Sequence, residues 1–136
     1  MKKYLLDTNI CVFLLRGMYE VDQKINHVGL NNCFISEITV LELKYGMELS
    51  KQRDGIDRKE QLNRFLATIS ILPITESLDF CAKEKIRLRL AGTPAEDDFD
   101  LLIGCTAVVG GMTMVTENIK HFKNINGINL ENWINR

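Results

Sequence analysis

Short apolar runs that meet acids constrain this chain more than any other feature of it. Tyr4-Leu5-Leu6 is closed by Asp7, the run from Ile38 to Leu43 contains Glu42, and Asp97, Asp98 and Asp100 crowd the entrance to Leu101-Leu102-Ile103. Runs this short suit strands and helix faces of a folded core, whereas a membrane span needs about 18 or more consecutive apolar residues. A carboxylate carried into apolar surroundings is costly unless a cation compensates it. No lysine or arginine lies within these runs. A divalent metal held by several carboxylates would supply the missing charge.

The order of the segments predicts an α/β fold with a central, mainly parallel sheet flanked by helices. Lys3 to Leu6 reads as a buried strand, followed by a helix from Asn9 to Arg16 that Gly17 closes. A second helix is expected over Tyr19 to Val28, a strand over Cys33 to Ser36, and a helix over Ile38 to Ser50. The charged stretch Lys51 to Glu60 reads as a surface connection. Leu62, Phe65, Leu66 and Ile69 give a helical stripe within Gln61 to Ser70. Ile71 to Ile74 reads as extended chain, which Pro73 places at a sheet edge or strand end. Helices over Ser77 to Ala91 and Phe99 to Val109, with strands over Met112 to Val115 and Ile128 to Leu130, complete the pattern. In such sheets the ligand site lies beyond the carboxyl ends of the strands. Asp7, Ser36 and the segment Thr116-Glu117-Asn118 all follow strands and are therefore expected at one edge.

With 136 residues the chain fits one domain, residues 1 to 136. The N-terminus reaches Asp7 too soon to hold the apolar stretch of a signal peptide, which predicts a cytoplasmic protein. Cys11, Cys33, Cys81 and Cys105 are widely spaced, without a C-x-x-C pair, and read as reduced core residues rather than a thiolate zinc site. His27 and His121 have no second nitrogen or sulfur ligand nearby in sequence, so a histidine-based site has little support. A net charge of −1 and the absence of a basic tail leave any nucleic-acid contact local, or bridged by metal.

Each acid has an ordinary explanation beside the chemical one. Asp7 could cap the following helix, although Thr8 could do so and leave the carboxylate free. Counting from Ile38, Glu42, Tyr45 and Leu49 fall at helical spacings, which sets Glu42 on an apolar stripe with Lys44 pointing elsewhere. Asp97 and Asp100 suit the cap and third position of a helix. That accounts for one or two of the four acids in Glu96 to Asp100, leaving at least one to face a cation. Lys83, Lys85, Arg87 and Arg89 read first as a solvated helix face, with phosphate contact the lesser reading. Lys120 and Lys123, near the Thr116–Asn118 turn, are further candidates for contact with a nucleic-acid backbone. Trp133 reads as a packing anchor.

Four segments, "YLLDTNICVFLLRG", "ISEITVLELKYGMELS", "GTPAEDDFDLLIGCTA" and "MVTENIKHFKNINGINLENW", resemble the PIN-domain ribonucleases in family order over nearly the whole chain. Within that family the resemblance is to VapC-type toxins of bacterial toxin–antitoxin pairs. It implies a PIN-like fold and cleavage of RNA at an acidic site holding Mg²⁺ or Mn²⁺. Carried over by motif, the catalytic acids are Asp7, Glu42 and Asp100, with Asp98 the main competitor for the third. Thr8 and Asn9 match the polar pair after the first acid, and Thr116 and Asn118 are supporting polar residues. The family's frequent fourth acid falls on Asn118, so Asp98 or Glu117 would have to replace it. The resemblance further implies a VapB-type antitoxin and a homodimer. Two other readings stay open: a PIN fold that only binds RNA or protein, and an Asp-nucleophile phosphatase, whose motif needs a second Asp where this chain has Asn9.

Overall fold

The computed structural model describes every residue from Met1 to Arg136 and is built on a five-stranded sheet in which every pairing is parallel. The strands are β1 (Tyr4–Leu6), β2 (Cys33–Ser36), β3 (Ser70–Leu72), β4 (Thr113–Val115) and β5 (Asn129–Glu131). They lie in the order β3-β2-β1-β4-β5. Parallel neighbours need crossover connections, and the helices supply them. Helices α1 (Thr8–Leu15) and α2 (Val21–Val28) join β1 to β2, and α3 (Glu37–Asp54) and α4 (Lys59–Thr68) lead to β3. Helices α5 (Leu78–Leu90) and α6 (Asp98–Val109) cross to β4, and the short α7 (Ile119–Phe122) precedes β5.

Alternation along the strands divides the core between the two faces of the sheet. Tyr4, Leu6, Cys33, Ile35 and Val115 pack with Ile10, Val21, Ile25, Leu43 and Trp133. Leu5 and Met114 face the other way, onto Leu101, Ile103, Phe122 and Ile125. Trp133 is buried against Tyr4, ring centroids 5.5 Å apart, which is the packing role its sequence position suggested. Burial raises the thiols of Cys11 and Cys105 and takes Cys33 up to about 11, so they behave as protonated core groups.

The chain order reverses between β1 and β4. Strands β2 and β3 are added on one side of β1, and the long crossover through α5 and α6 then places β4 on the other. Such a reversal opens a crevice at the carboxyl ends of the strands. Register fixes what enters it: Leu6 pairs with Val115, and Leu5 pairs with Phe34. Asp7, Ser36 and Thr116 therefore leave the sheet at one level.

Several boundaries differ from expectation. Helix α3 does not stop at Ser50 but runs to Asp54, where Gly55 takes the left-handed conformation and Arg58 pairs with Asp54 at 2.9 Å. The expected surface connection is thus helix from Lys51 to Asp54 and again from Lys59. Helix α4 ends at Thr68, and Ser70 belongs to the edge strand β3, which stops before Pro73. Helix α2 begins two residues late because Tyr19 and Glu20 both adopt positive φ. Turn α7 was not expected at all.

The helix start at Ser36 yields a direct stability test. Its buried hydroxyl accepts the Ile38 N–H at 3.0 Å. Ser36→Ala is expected to cost about 1 kcal/mol in urea denaturation by loss of this cap.

Candidate active site

Asp7 occupies the end of the central strand and the N-cap of α1 at once. Its Oδ1 accepts the Thr8 N–H at 2.8 Å, and its Oδ2 accepts the Thr116 hydroxyl at 2.8 Å. The side chain caps after all, and Thr8 does not relieve it of that role. Thr8 instead turns its hydroxyl to Glu42, donating to Oε1 at 2.6 Å, with the Thr39 hydroxyl 3.0 Å away. The Thr116 hydroxyl also accepts the Asn118 N–H at 2.9 Å. One polar chain thus links the ends of β1 and β4, while Thr8 ties α1 to α3.

Glu42 reaches this centre by a different face than its spacing suggested. Tyr45 and Leu49 point to solvent, and the buried side of α3 is Ile38, Thr39 and Leu43. Glu42 borders that side and is half-buried.

Asp97 is the N-cap of α6, its Oδ1 accepting the N–H groups of Phe99 at 2.7 Å and Asp100 at 3.3 Å. This leaves the Asp100 carboxylate free to face the crevice from the first turn, where it meets His121 Nδ1 at 3.2 Å.

The three acids act on one another. Burial raises the Asp7 carboxyl above the usual aspartate range against the pull of its Thr116 and Thr8 hydrogen bonds, and Asp100 raises it further. Glu42 is raised by burial, then by Asp7 and Asp97. Asp100 is raised by burial, with Asp97 and Glu42 adding to the effect and His121 opposing it. Distant negative side chains are therefore gathered where their charge is poorly compensated.

The donors are carboxylate and hydroxyl oxygens, the set a hard divalent cation prefers. No three acidic, imidazole or thiol side chains converge tightly enough to form a complete ligand cage by themselves. Any ion bound there would have to keep part of its own water among its ligands.

The remaining candidates divide clearly. Asp98 turns outward to Lys85 at 3.0 Å and is not among the acids acting on Asp7, Glu42 or Asp100. Glu117 is held by Arg136, whose Nη2 lies 3.1 Å from its Oε1. Each is thus paired with a cation of its own and does not meet Asp7, Glu42 or Asp100 in this structure. Asn9 is exposed, and Asn118 contributes a backbone N–H to Thr116. Arg87 is committed internally, to Glu84 and to the Asn124 carbonyl, and so is not a free phosphate contact. Arg89 and Lys123 are exposed, and Lys120 lines a cleft that includes Asp100.

Two residues escaped the sequence reading. His121 was discounted for want of a neighbouring ligand in sequence, yet folding brings it to Asp100, 21 residues away. Glu84 is buried within a run that reads as solvated.

A PIN domain model matches residues 4–128, most of the chain and all of the acids just described. The chain belongs to the PIN domain family. Ribonuclease VapC2 of Rickettsia felis is a PIN relative with 35% identity over 135 residues, covering 96% of this chain and 97% of its own length. The tRNA(fMet)-specific endonuclease VapC of Salmonella typhimurium is 29% identical over 134 residues, covering 98% and 99%. Among solved structures, VapBC2 of Rickettsia felis bound to a promoter DNA fragment superposes with a TM-score of 0.82 at 32% identity, covering 96% of this chain and 98% of that one. DNA-bound VapBC of Salmonella typhimurium gives 0.83 at 28% identity, covering 98% and 99%. The parallel sheet flanked by helices is the PIN fold.

Proposed function

We propose that this chain is a VapC-type toxin, an endoribonuclease that cleaves RNA phosphodiester bonds at the acidic crevice with the help of Mg²⁺ or Mn²⁺. The observation that carries the reading is the gathering of Asp7, Glu42 and Asp100 from three separate elements around one crevice, where burial first and neighbouring acids second raise all three carboxyls. Family membership and nearly end-to-end similarity to named ribonucleases support it.

Asp7 and Asp100 would hold the ion directly, and Glu42 would hold it through water or orient the attacking water. A divalent ion bound there lowers the pKa of water and neutralises charge on the phosphate. The chain's own residues set the geometry. Thr116 locks the Asp7 carboxylate through Oδ2, and Thr8 fixes the Glu42 side chain. His121 holds the Asp100 carboxylate from the outer side. Glu42 keeps Oε2 outside these bonds, and each Asp7 oxygen, accepting one hydrogen bond, keeps a second lone pair.

Recombinant protein is expected to cut RNA with Mg²⁺ or Mn²⁺ and to stop when EDTA is added. Undiminished cutting in EDTA rejects the metal-dependent reading. The role of Thr116 has its own test. Thr116→Val removes a bond that favours the charged Asp7, so Asp7 binds its proton more tightly. Cleavage at neutral pH should fall by about tenfold or more, and the acidic limb of the pH–rate profile should move to higher pH. An unshifted limb rejects that role.

Residues 1 to 136 act as a single PIN domain in this proposal. The relatives' solved complexes pair VapC with VapB, and an antitoxin of that type is the proposed partner here. A groove of about 500 Å³ between α1, α3 and α4 suits it, with the partly exposed Val12, Leu15 and Met47 offering apolar surface and Arg16 and Arg53 among its lining residues. Glu42 also lines this groove, so an occupant would reach one of the three acids. A homodimer belongs to the same proposal, since Leu41, Tyr45 and Leu49 leave an apolar row on α3 open to water. A cytoplasmic location is supported by the buried, protonated cysteines. No helix is long and apolar enough to cross a membrane.

A further inference from the structure

A cleft of about 690 Å³ opens directly beside Asp100, between the loop from Gly92 to Asp97 and the segment that follows β4. Its floor is apolar, with Leu88, Leu101 and Ile125, and one wall carries Lys120, His121 and Asn124. The opposite wall carries Glu96 and Asp97. Neither Glu96 nor the Asn124 side chain takes part in any hydrogen bond or ion pair of the fold, so their polar atoms are available to a ligand.

The Asn124 wall is braced from beneath by charged groups outside the catalytic set. Glu84, 3% exposed, accepts Arg87 Nε at 2.6 Å and Nη2 at 2.9 Å, and also accepts the Asn126 N–H at 3.0 Å. Arg87 Nη2 donates in turn to the Asn124 carbonyl at 2.7 Å. A buried carboxylate bridging a helix to two positions of one turn fixes that turn in place. The clamp therefore holds the backbone from which Asn124 faces the cleft.

We propose that this cleft is the specificity pocket for a nucleobase adjacent to the cut, and that it selects bases carrying an amino group. The proposal rests on the ribonuclease reading of the neighbouring acids. The volume lies within the range of small-ligand pockets, and Pro94 and Ala95 in its lining offer apolar surface to the flat face of an unstacked base. Two carboxylates would repel a phosphate, so the RNA backbone follows the Lys120 wall and the base edge meets Glu96. A carboxylate accepts hydrogen bonds from the amino group of cytosine, adenine or guanine, whereas uracil offers only its N3–H, flanked by two carbonyl oxygens that a carboxylate repels. Asn124 supplies both a donor and an acceptor for the remaining edge. Arg87 is a positioning residue, acting only through the Asn124 backbone.

The test is a cleavage-site survey on RNA hairpins with randomised loops in Mn²⁺, comparing wild type with Asp7→Asn, Glu96→Ala, Asn124→Ala and Arg87→Ala. Wild type should cut beside amino-bearing bases in preference to uracil by about tenfold or more, a factor typical of a lost base-edge contact. Glu96→Ala and Asn124→Ala should flatten this preference, and Arg87→Ala should weaken it in the same direction. Replacing the amino purine adenine by unsubstituted purine at the preferred position should mimic Glu96→Ala in the wild type and have no added effect in that variant. A wild type indifferent to the flanking base overturns the proposal, as does a preference unchanged in Glu96→Ala and Asn124→Ala. If wild type and Asp7→Asn cut alike, the ribonuclease reading itself fails, an outcome distinct from the loss of selectivity alone.

Discussion

Asp7→Asn is expected to abolish RNA cleavage while leaving the metal-free protein at least as stable as the wild type. The activity loss follows from position: Asp7 sits where the sheet reverses its chain order, and burial leaves it 5% exposed. Losing a ligand that holds the ion removes several kcal/mol of charge stabilisation, on the order of a thousandfold or more in rate. Stability moves the other way because the native site raises the Asp7 carboxyl, chiefly by desolvation. Between the ordinary aspartate value of 3.8 and the raised one, the folded chain holds more proton than the unfolded chain. Stability therefore falls as pH rises through that window, and the penalty persists above it. Glu42 and Asp100 shift in the same direction and add to it.

An amide at position 7 carries no such penalty, and Asn caps helices as well as Asp. A divalent ion should restore stability to the wild type by mass action and do little for the variant. Thermal melts with and without Mn²⁺, run beside a cleavage assay, check all three statements. Equal cleavage by both proteins would remove Asp7 from the mechanism. A variant clearly less stable in metal-free buffer would remove the claim of uncompensated charge.

Phe122→Ala carries the largest expected cost to the fold, about 3–5 kcal/mol for emptying a fully buried aromatic site, against a typical total of roughly 5–15 kcal/mol. Phe122 is completely buried and belongs to the cluster with Leu101, Ile103 and Ile125. It is also the anchor of α7, a single turn of four residues that cannot persist on its own helical propensity. Lys120 and His121 ride on that turn, and His121 contacts Asp100. The variant should therefore lose cleavage at temperatures where circular dichroism still reports a folded sheet. Chemical denaturation gives the stability, and a rate measured well below the melting point gives the second effect. Full cleavage by a destabilised protein would show that α7 is not needed to position Asp100.

Gly104 sets the same contact from the opposite side. A Cβ there would lie 2.4 Å from Ile125 Cδ1 and 3.3 Å from Phe122 Cδ1. A β-carbon would displace the tip of Ile125 and press on Phe122, so the glycine lets both side chains pack directly against the α6 backbone.

The strand Cys33–Ser36, a strand expected over Met112 to Val115 and found one residue shorter, helices expected from Ser77 and Phe99 and found within one residue of those starts, and the gathering of Asp7, Ser36 and Thr116 at one edge were legible from apolar runs and turn residues. These depend on neighbours within a few positions, and alternation or helical period reports them directly. Other readings failed wherever the deciding partner lay far along the chain. Local spacing put Glu42 on a stripe with Tyr45 and Leu49, but Thr39 and Leu43 mark the face that the sheet covers. Asp98 and Asp100 are indistinguishable as acids in sequence, and only Lys85 and His121 separate their roles. Arg87 looked like one more solvated charge until Glu84 and the Asn124 carbonyl claimed it.

By itself the sequence determined the parallel α/β order, the residue types able to bear metal-dependent chemistry and the strand ends that carry them. The tertiary structure alone decided which acids share the crevice and which are neutralised elsewhere. Hydrophobic periodicity is a local property, whereas the compensation of a charge depends on whatever group the folded chain brings within a few ångströms of it.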